Sequence, residues 1–264
     1  MMRILFSEGH APSLRYASWC LLAVLAHMLL SHVDHLAFEV LRATDPAASA
    51  FFRTLTEAGD SKWTLVPTGV IGSCLVLAGL WLVKARRAAA VARWTGSALL
   101  FVFASIALSG IIVNIIKVII GRARPKLLDQ IGFQGFDPMI LDANFHSFPS
   151  GHTNTAVAFA LAVSFLIPGW RAPLLALAGA IGFSRVAVNA HFMTDVIGGA
   201  ALAYPTTYWL RARFAAQGWV FARSGAVGFQ PQWPGRLLAR LAERSLRRPL
   251  DALGAPDGRQ LRRA

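Results

Sequence analysis

Long apolar runs separated by short polar stretches set the pattern of this chain, and several approach the roughly 20 residues a helix needs to cross a bilayer. The economical parse has six spans, near residues 16 to 33, 63 to 83, 95 to 118, 153 to 168, 173 to 189 and 192 to 210. The expected fold is therefore all-α, a polytopic membrane helical bundle with six transmembrane helices. The first run is expected to be retained, because it is long for a signal peptide and no small-residue cleavage signal follows it. Spans four and five are short, with Pro168, Gly169 and Pro173 marking the turn between them. Between spans one and two, Phe38, Val40, Leu41, Phe51, Phe52 and Leu55 recur at roughly helical intervals, broken at Asp45 and Pro46. This spacing predicts short helices lying on the surface; packing over the bundle is the plain reading and a lid the alternative. The domain reading is a six-span unit over 1–211 and a basic tail over 212–264. Within the tail, 235–248 reads as an amphipathic helix, with Leu237, Leu238, Leu241 and Leu246 against five arginines. The residues beyond Pro249 are expected to be disordered.

Composition supports membrane residence. Of 264 residues, 55% are hydrophobic and 15% charged, and mean hydropathy is +0.51. The formal charge of +13 would suit a nucleic-acid partner, but the basic residues sit beside the spans, where membrane proteins carry them, so none is expected. Arg3, Arg15, Lys84, Arg86, Arg87, Arg93, Arg171 and the arginines after Leu210 fall on one side, eighteen of the 26 basic residues against four of the 13 acidic ones. By the positive-inside rule that side is cytoplasmic and holds both termini. Trp19, Trp81, Trp94, Trp170 and Trp209 cluster at the same ends of the spans. Cys20 and Cys74 lie inside apolar runs as small buried hydrophobes, without disulfide or zinc spacing. His32 and His35 flank Asp34 without a fourth ligand and read as solvated loop histidines, while mid-span His27 reads as a packing residue.

Three stretches carry ionisable groups at the edges of apolar runs, where such groups are costly and usually functional. Ser184 to Asp195 reads SRVAVNAHFMTD. His191 and Asp195 stand four apart, so on a helix they share a face, and the carboxylate would hold one imidazole nitrogen while the other attacks. Near the outer end of span three, KVIIGRARP places Lys117, then six intervening residues, then Arg124 and Pro125. Before span four, FPSGHT places Pro149, Ser150, Gly151 and His152, where a helix start offers free N–H groups to an anion.

Together, K-x6-R-P, P-S-G-H and S-R-x5-H-x3-D resemble the full signature of the type 2 phosphatidic acid phosphatase superfamily, which also holds vanadium haloperoxidases and bacterial lipid phosphatases. The resemblance covers Lys117 to Asp195. It implies that Lys117, Arg124 and Arg185 clamp the phosphate oxygens, with the Ser150 hydroxyl and Gly151 N–H adding hydrogen bonds. His191 would attack phosphorus and form a phosphohistidine, oriented by Asp195, and His152 would protonate the leaving oxygen. It implies no cofactor and no metal, three cations standing in for one. Each residue also has a bland reading: Lys117 as a snorkelling helix-end lysine, Arg185 as a loop anchor, His191 with Asp195 as a metal pair that three cations would disfavour. Arg122 and Lys126 read as surface charges, and His146 as a loop residue.

The expectation is an integral-membrane, metal-independent phosphatase acting on a lipid phosphate or diphosphate. Its partners are the bilayer and that lipid, with no obligate protein partner, in a bacterial-type plasma membrane with the site on the outer, periplasmic face. Phe133, Phe136 and Phe145 in the loop from Lys126 to Ser147 are expected to contribute to head-group choice. The rivals are a phosphotransferase using the same site, a haloperoxidase, and a non-enzymatic lipid transporter or scaffold.

Overall fold

In the computed structural model, residues 32–41, 46–131, 135–224 and 228–233 are described, and they are mostly helical. A first helix, α1, covers 32–41. It is followed by α2 (Pro46–Glu57), α3 (Lys62–Leu77, continued by a π-helical turn at Ala78–Leu82) and the 35-residue α4 (Arg86–Ile120). The short α5 (Leu128–Ile131) precedes α6 (Gly151–Leu166), α7 (Arg171–Ala187) and α8 (Met193–Ala216). Spans two to six thus each meet a helix. α4 starts earlier than expected, at Arg86, because the alanines at 88 to 90 favour helix and carry it through the basic residues. Spans one and the 235–248 helix, with Cys20, His27, Phe133 and the terminal residues, lie outside the described residues, apart from the last residues of span one in α1.

The all-α expectation needs one correction. After α8 the strands β1 (Phe221–Ser224) and β2 (Gly228–Pro231) pair antiparallel, with Phe221 opposite Pro231 and Ser224 opposite Gly228. Phe221 is fully buried, its ring 4.9 Å from that of Phe101 on α4. The apolar anchor of the hairpin lies in a stretch that reads as tail by charge alone.

Contacts divide the chain into two units. One comprises Asp60–Ile111, Val157–Leu177 and the described residues from Ala203 onward. Phe101, Ile106, Leu161, Phe165 and Phe214 fill its core, with Ala98, Ala158, Ala162 and Ala203 letting the helices approach closely. At one such approach, a Cβ on Gly96 would lie 2.6 Å from the Gly72 carbonyl oxygen. Buried hydroxyls bond back onto their own helices: Ser105 to the Phe101 carbonyl, Ser109 to Ser105, Thr207 to Ala203. An apolar surround demands that closure. Outward, α3 and its π turn expose Val66, Val70, Ile71, Leu77, Leu80, Trp81 and Leu82, a row that lipid but not water would favour. Cys74 is exposed with them, a correction to its expected burial. Ala48–Leu82 and Arg86–Ile120 are apolar enough to cross a membrane, at mean hydropathy 2.0 and 2.6, and α6 is a shorter apolar helix.

The other unit comprises the described residues up to Gly59, with Ile112–Ala156 and Ala178–Leu202. α1 and α2 are the short helices expected here. Asp34 and Phe38 turn inward, Leu36, Val40 and Phe51 stay exposed, and Phe52 meets Phe183 edge-on at 5.6 Å. His32 and His35 are exposed, on a helix and not in a loop.

Candidate active site

Gly121 turns the chain out of α4 towards the site. It sits at φ +57, and a Cβ there would lie 1.7 Å from the Asp137 carbonyl oxygen, so only glycine fits. Residues 122–124 then run along the loop 135–147. Arg122 bridges to Phe136, Ala123 N–H donates to Gly135, Arg124 N–H to Asn144 and Ser147 N–H to Arg122. The Arg124 side chain is fixed by Nε donating to the Ala143 carbonyl at 3.0 Å. Lys117, 8% exposed, donates through Nζ to the His146 carbonyl at 2.7 Å. His146 is thus more than a bystander in its loop, since its carbonyl aims the lysine, and its own ring is 3.0 Å from the Ile140 carbonyl.

The second block starts α6. Ser150 N–H donates to the Asp195 carbonyl at 2.9 Å, tying the start of α6 to the first turn of α8. That contact needs Gly199, where a Cβ would lie 2.4 Å from the Ser150 carbonyl oxygen. Ser150 is buried, and its hydroxyl accepts from the Thr153 hydroxyl at 3.0 Å. Lys117 Cε is 4.0 Å from where a Gly151 Cβ would be, so the first and second blocks meet. His152 follows, half-buried, with its Cβ beside Gly59.

The third block spans the turn from α7 to α8. Ala190 and His191 N–H groups both reach the Arg185 carbonyl, at 3.0 and 3.2 Å, and Asn189 takes the left-handed conformation its residue type tolerates. Arg185 Nη1 donates to the Thr56 hydroxyl on α2 at 2.8 Å. Its buried Nε has no partner among the described residues. His191 is 2% exposed, and its Nδ1 faces Asp195 Oδ2 at 3.6 Å, longer than a hydrogen bond. Asp195 is fully buried and held by other donors: Oδ2 accepts from the Ser147 hydroxyl at 2.5 Å and the Phe192 N–H at 2.8 Å.

Burial pushes the His191 imidazole down to about 4, and the nearby charges of Lys117 and Arg124 push the same way against the pull of Asp195. Burial also lowers Arg124, which Asp195 partly offsets. The imidazole is therefore neutral near pH 7, with one nitrogen facing a carboxylate and two cations within electrostatic reach. Such a group can attack an electrophile whose negative charge those cations have attracted.

Arg122, expected as a surface charge, is buried at 5% exposure. Its Nη1 donates to Asp195 Oδ1 at 2.6 Å and to the Thr194 hydroxyl at 2.7 Å, and its Nη2 to Asp34 Oδ2 at 2.7 Å. Asp34 also accepts from the Thr194 N–H and hydroxyl, at 2.8 and 2.6 Å, which caps the start of α8. The sequence signals were faint: a second arginine in the GRARP run, and an acid in a stretch rich in apolar residues.

Comparison with known proteins gives the arrangement a family. The model of the PAP2 superfamily matches residues 98–219, which include all three blocks. The lipid A 1-phosphatase of Rhizobium johnstonii is 37% identical over 176 residues, 66% of this chain and 68% of that protein. Its counterpart from Rhizobium etli is 39% identical over 150 residues, 56% of this chain and 63% of that protein. The crystal structure of a transmembrane PAP2 type phosphatidylglycerolphosphate phosphatase from Bacillus subtilis shares the fold, with a TM-score of 0.52 at 21% identity over 75% of this chain and 92% of that one. With relatives this similar over this length, the chain belongs to the PAP2 superfamily and is a membrane lipid phosphatase of that type.

Proposed function

We propose that this protein hydrolyses a lipid phosphomonoester through a phosphohistidine on His191, and that its substrate is lipid A phosphorylated at position 1, the substrate class named for its Rhizobium relatives. The observation that carries the mechanism is the buried, neutral His191 facing Asp195 within reach of Lys117 and Arg124. Lys117, Arg124 and Arg185 take the phosphate oxygens, joined at the start of α6 by the Gly151 N–H and by the Ser150 hydroxyl, which accepts from Thr153 and keeps its own proton to donate. The His191 nitrogen turned away from Asp195 forms a bond to phosphorus as the bond from phosphorus to the sugar oxygen breaks. His152 gives the departing oxygen its proton. Water then attacks the phosphohistidine and loses a proton to His152, and phosphate leaves. Fixed cations supply the charge stabilisation that in-line phosphoryl transfer requires.

We further infer six spans with both termini in the cytoplasm and the site at the outer leaflet. The excess of basic residues between spans two and three, between four and five and after span six supports that orientation.

The test is phosphate release by the purified protein in detergent from lipid A, phosphatidylglycerol phosphate, phosphatidic acid and a polyprenyl diphosphate, without added acceptor. Fastest release from lipid A, unaffected by chelator and inhibited by vanadate, is the expected result. Preference for a glycerophospholipid would remove the substrate assignment, and activity lost to chelator and restored by magnesium would remove the mechanism.

A further inference from the structure

The unit containing Asp60–Ile111 carries an open cavity of about 480 Å³ that the phosphatase chemistry does not use. Its walls are largely apolar, from Leu100, Phe214 and Trp219, with Arg93, Trp94 and Ser97 supplying the polar groups. That volume falls within the range of about 300–1,000 Å³ typical of small-molecule sites. The indole Nε1–H of Trp94 is buried and has no hydrogen-bond partner among the described residues, although its ring is held 4.9 Å from that of Trp233. A buried indole N–H without an acceptor is unusual and costly, and an acceptor on a bound molecule would satisfy it.

The charges nearby choose the molecule. Arg93 is fixed to the lining by Nη1 donating to the Gly79 carbonyl at 3.0 Å. Arg86, Ala90, Arg93, Ser97 and Leu100 repeat along α4 at helical spacing, so the exposed Arg86 extends the same face at the start of the helix. Asp60 is the only acidic residue among the described residues of this unit, and Lys62 pairs with it at 2.8 Å. Lys84, Arg87, Arg171, Arg211, Arg213 and Arg223 add only positive charge. An apolar cavity with an orphaned donor in an almost wholly basic unit fits an amphiphile with a negative head.

We propose that this cavity binds one anionic phospholipid of the bilayer, distinct from the substrate. One acyl chain fills the apolar cavity, an oxygen near the chain's ester accepts from Trp94 Nε1, and the phosphodiester lies against Arg93 and Arg86. Such a lipid is not turned over, because it presents no phosphomonoester.

Native mass spectrometry of the full-length protein in detergent, with phosphatidylglycerol or phosphatidylcholine added and vanadate present to fill the phosphate site, reads this directly. One phosphatidylglycerol should be retained in preference to phosphatidylcholine. Trp94→Phe keeps the ring and removes the donor, and should weaken retention about fivefold, the worth of one hydrogen bond. Arg93→Gln should erase the preference between the two lipids, and Ser97→Phe, which fills the cavity, should abolish retention while aryl phosphate hydrolysis persists. Equal retention of the two lipids by the wild type, or undiminished retention of phosphatidylglycerol by Trp94→Phe, would overturn the proposal whatever Ser97→Phe does.

Discussion

Arg122 Nη1 lies 2.6 Å from Asp195 Oδ1, which makes an arginine outside the proposed phosphate clamp the main ionic partner of the carboxylate facing His191. The same guanidinium pairs with Asp34 at 2.7 Å, so α1 is wired to the start of α8 through a buried triad of one cation and two anions. Removing one member of such a buried group leaves its partners uncompensated, which is far more harmful than losing an exposed pair.

Arg122→Met should therefore destabilise the protein by about 3–5 kcal/mol, the usual cost of breaking a buried ion pair. Arg122→Lys, which keeps the charge but not the fork, should fall between the wild type and Arg122→Met. In any Arg122→Lys protein that stays folded, kcat should drop more than KM rises, since Asp195 is displaced while the phosphate clamp remains. Thermal unfolding in detergent together with steady-state phosphate release checks both. An Arg122→Met protein as stable and active as wild type would return Arg122 to the role of a surface charge.

The two histidines should separate by leaving group. On the proposed mechanism His191→Ala removes the nucleophile and should abolish turnover of every substrate. On the same mechanism His152→Ala removes the general acid, typically worth ~100- to 10,000-fold, and should cost most with a poor alkoxide leaving group and least with an aryl phosphate. Asp195→Asn should lie between them, because the amide keeps the shape but favours the wrong tautomer. Initial rates on an alkyl and an aryl phosphate are the measurement; equal losses on both for His152→Ala would reverse the assignment.

His191 also predicts a pH dependence of stability. Its imidazole is pushed down to about 4 in the folded protein by burial, against about 6.5 in an unfolded chain. Below 6.5 the unfolded state binds a proton that the folded state does not. The stability this histidine contributes is full above pH 6.5 and is lost as pH falls towards 4, at up to about 1.4 kcal/mol per pH unit. Melting curves in detergent from pH 7 to 4 should show a shallower decline for His191→Gln than for the wild type. Parallel declines would mean that His191 takes up its proton in the fold as readily as in water.

Orientation is testable with single cysteines in a background lacking Cys20 and Cys74. Leu141, 81% exposed in the loop beside the site, is a suitable reporter, whereas Thr153 at 2% is shielded. Leu141→Cys should react with an impermeant thiol reagent in cells with an opened outer membrane, and Ala88→Cys should react only after lysis. The reverse pattern would place the site in the cytoplasm.

Much of this protein is written locally. Apolar runs specify helices through composition alone, because a helix closes its own backbone hydrogen bonds, and spans two to six each meet one. The three blocks around Lys117, Ser150 and His191 are legible because each depends on spacing within a few residues. Tertiary structure decided what depends on distance along the chain. Asp34 meets Arg122 across 88 positions and Thr56 meets Arg185 across 129, and no periodicity signals either pair. Which arginine of GRARP is buried against carboxylates, and which donates to the Ala143 carbonyl, follows from the left-handed turn at Gly121 and the pairing of Arg122 with Phe136. The β-hairpin and the cavity beside Trp94 were hidden for the same reason: both exist only where α8 and the strand after it bring Phe214, Trp219 and Phe221 against α4.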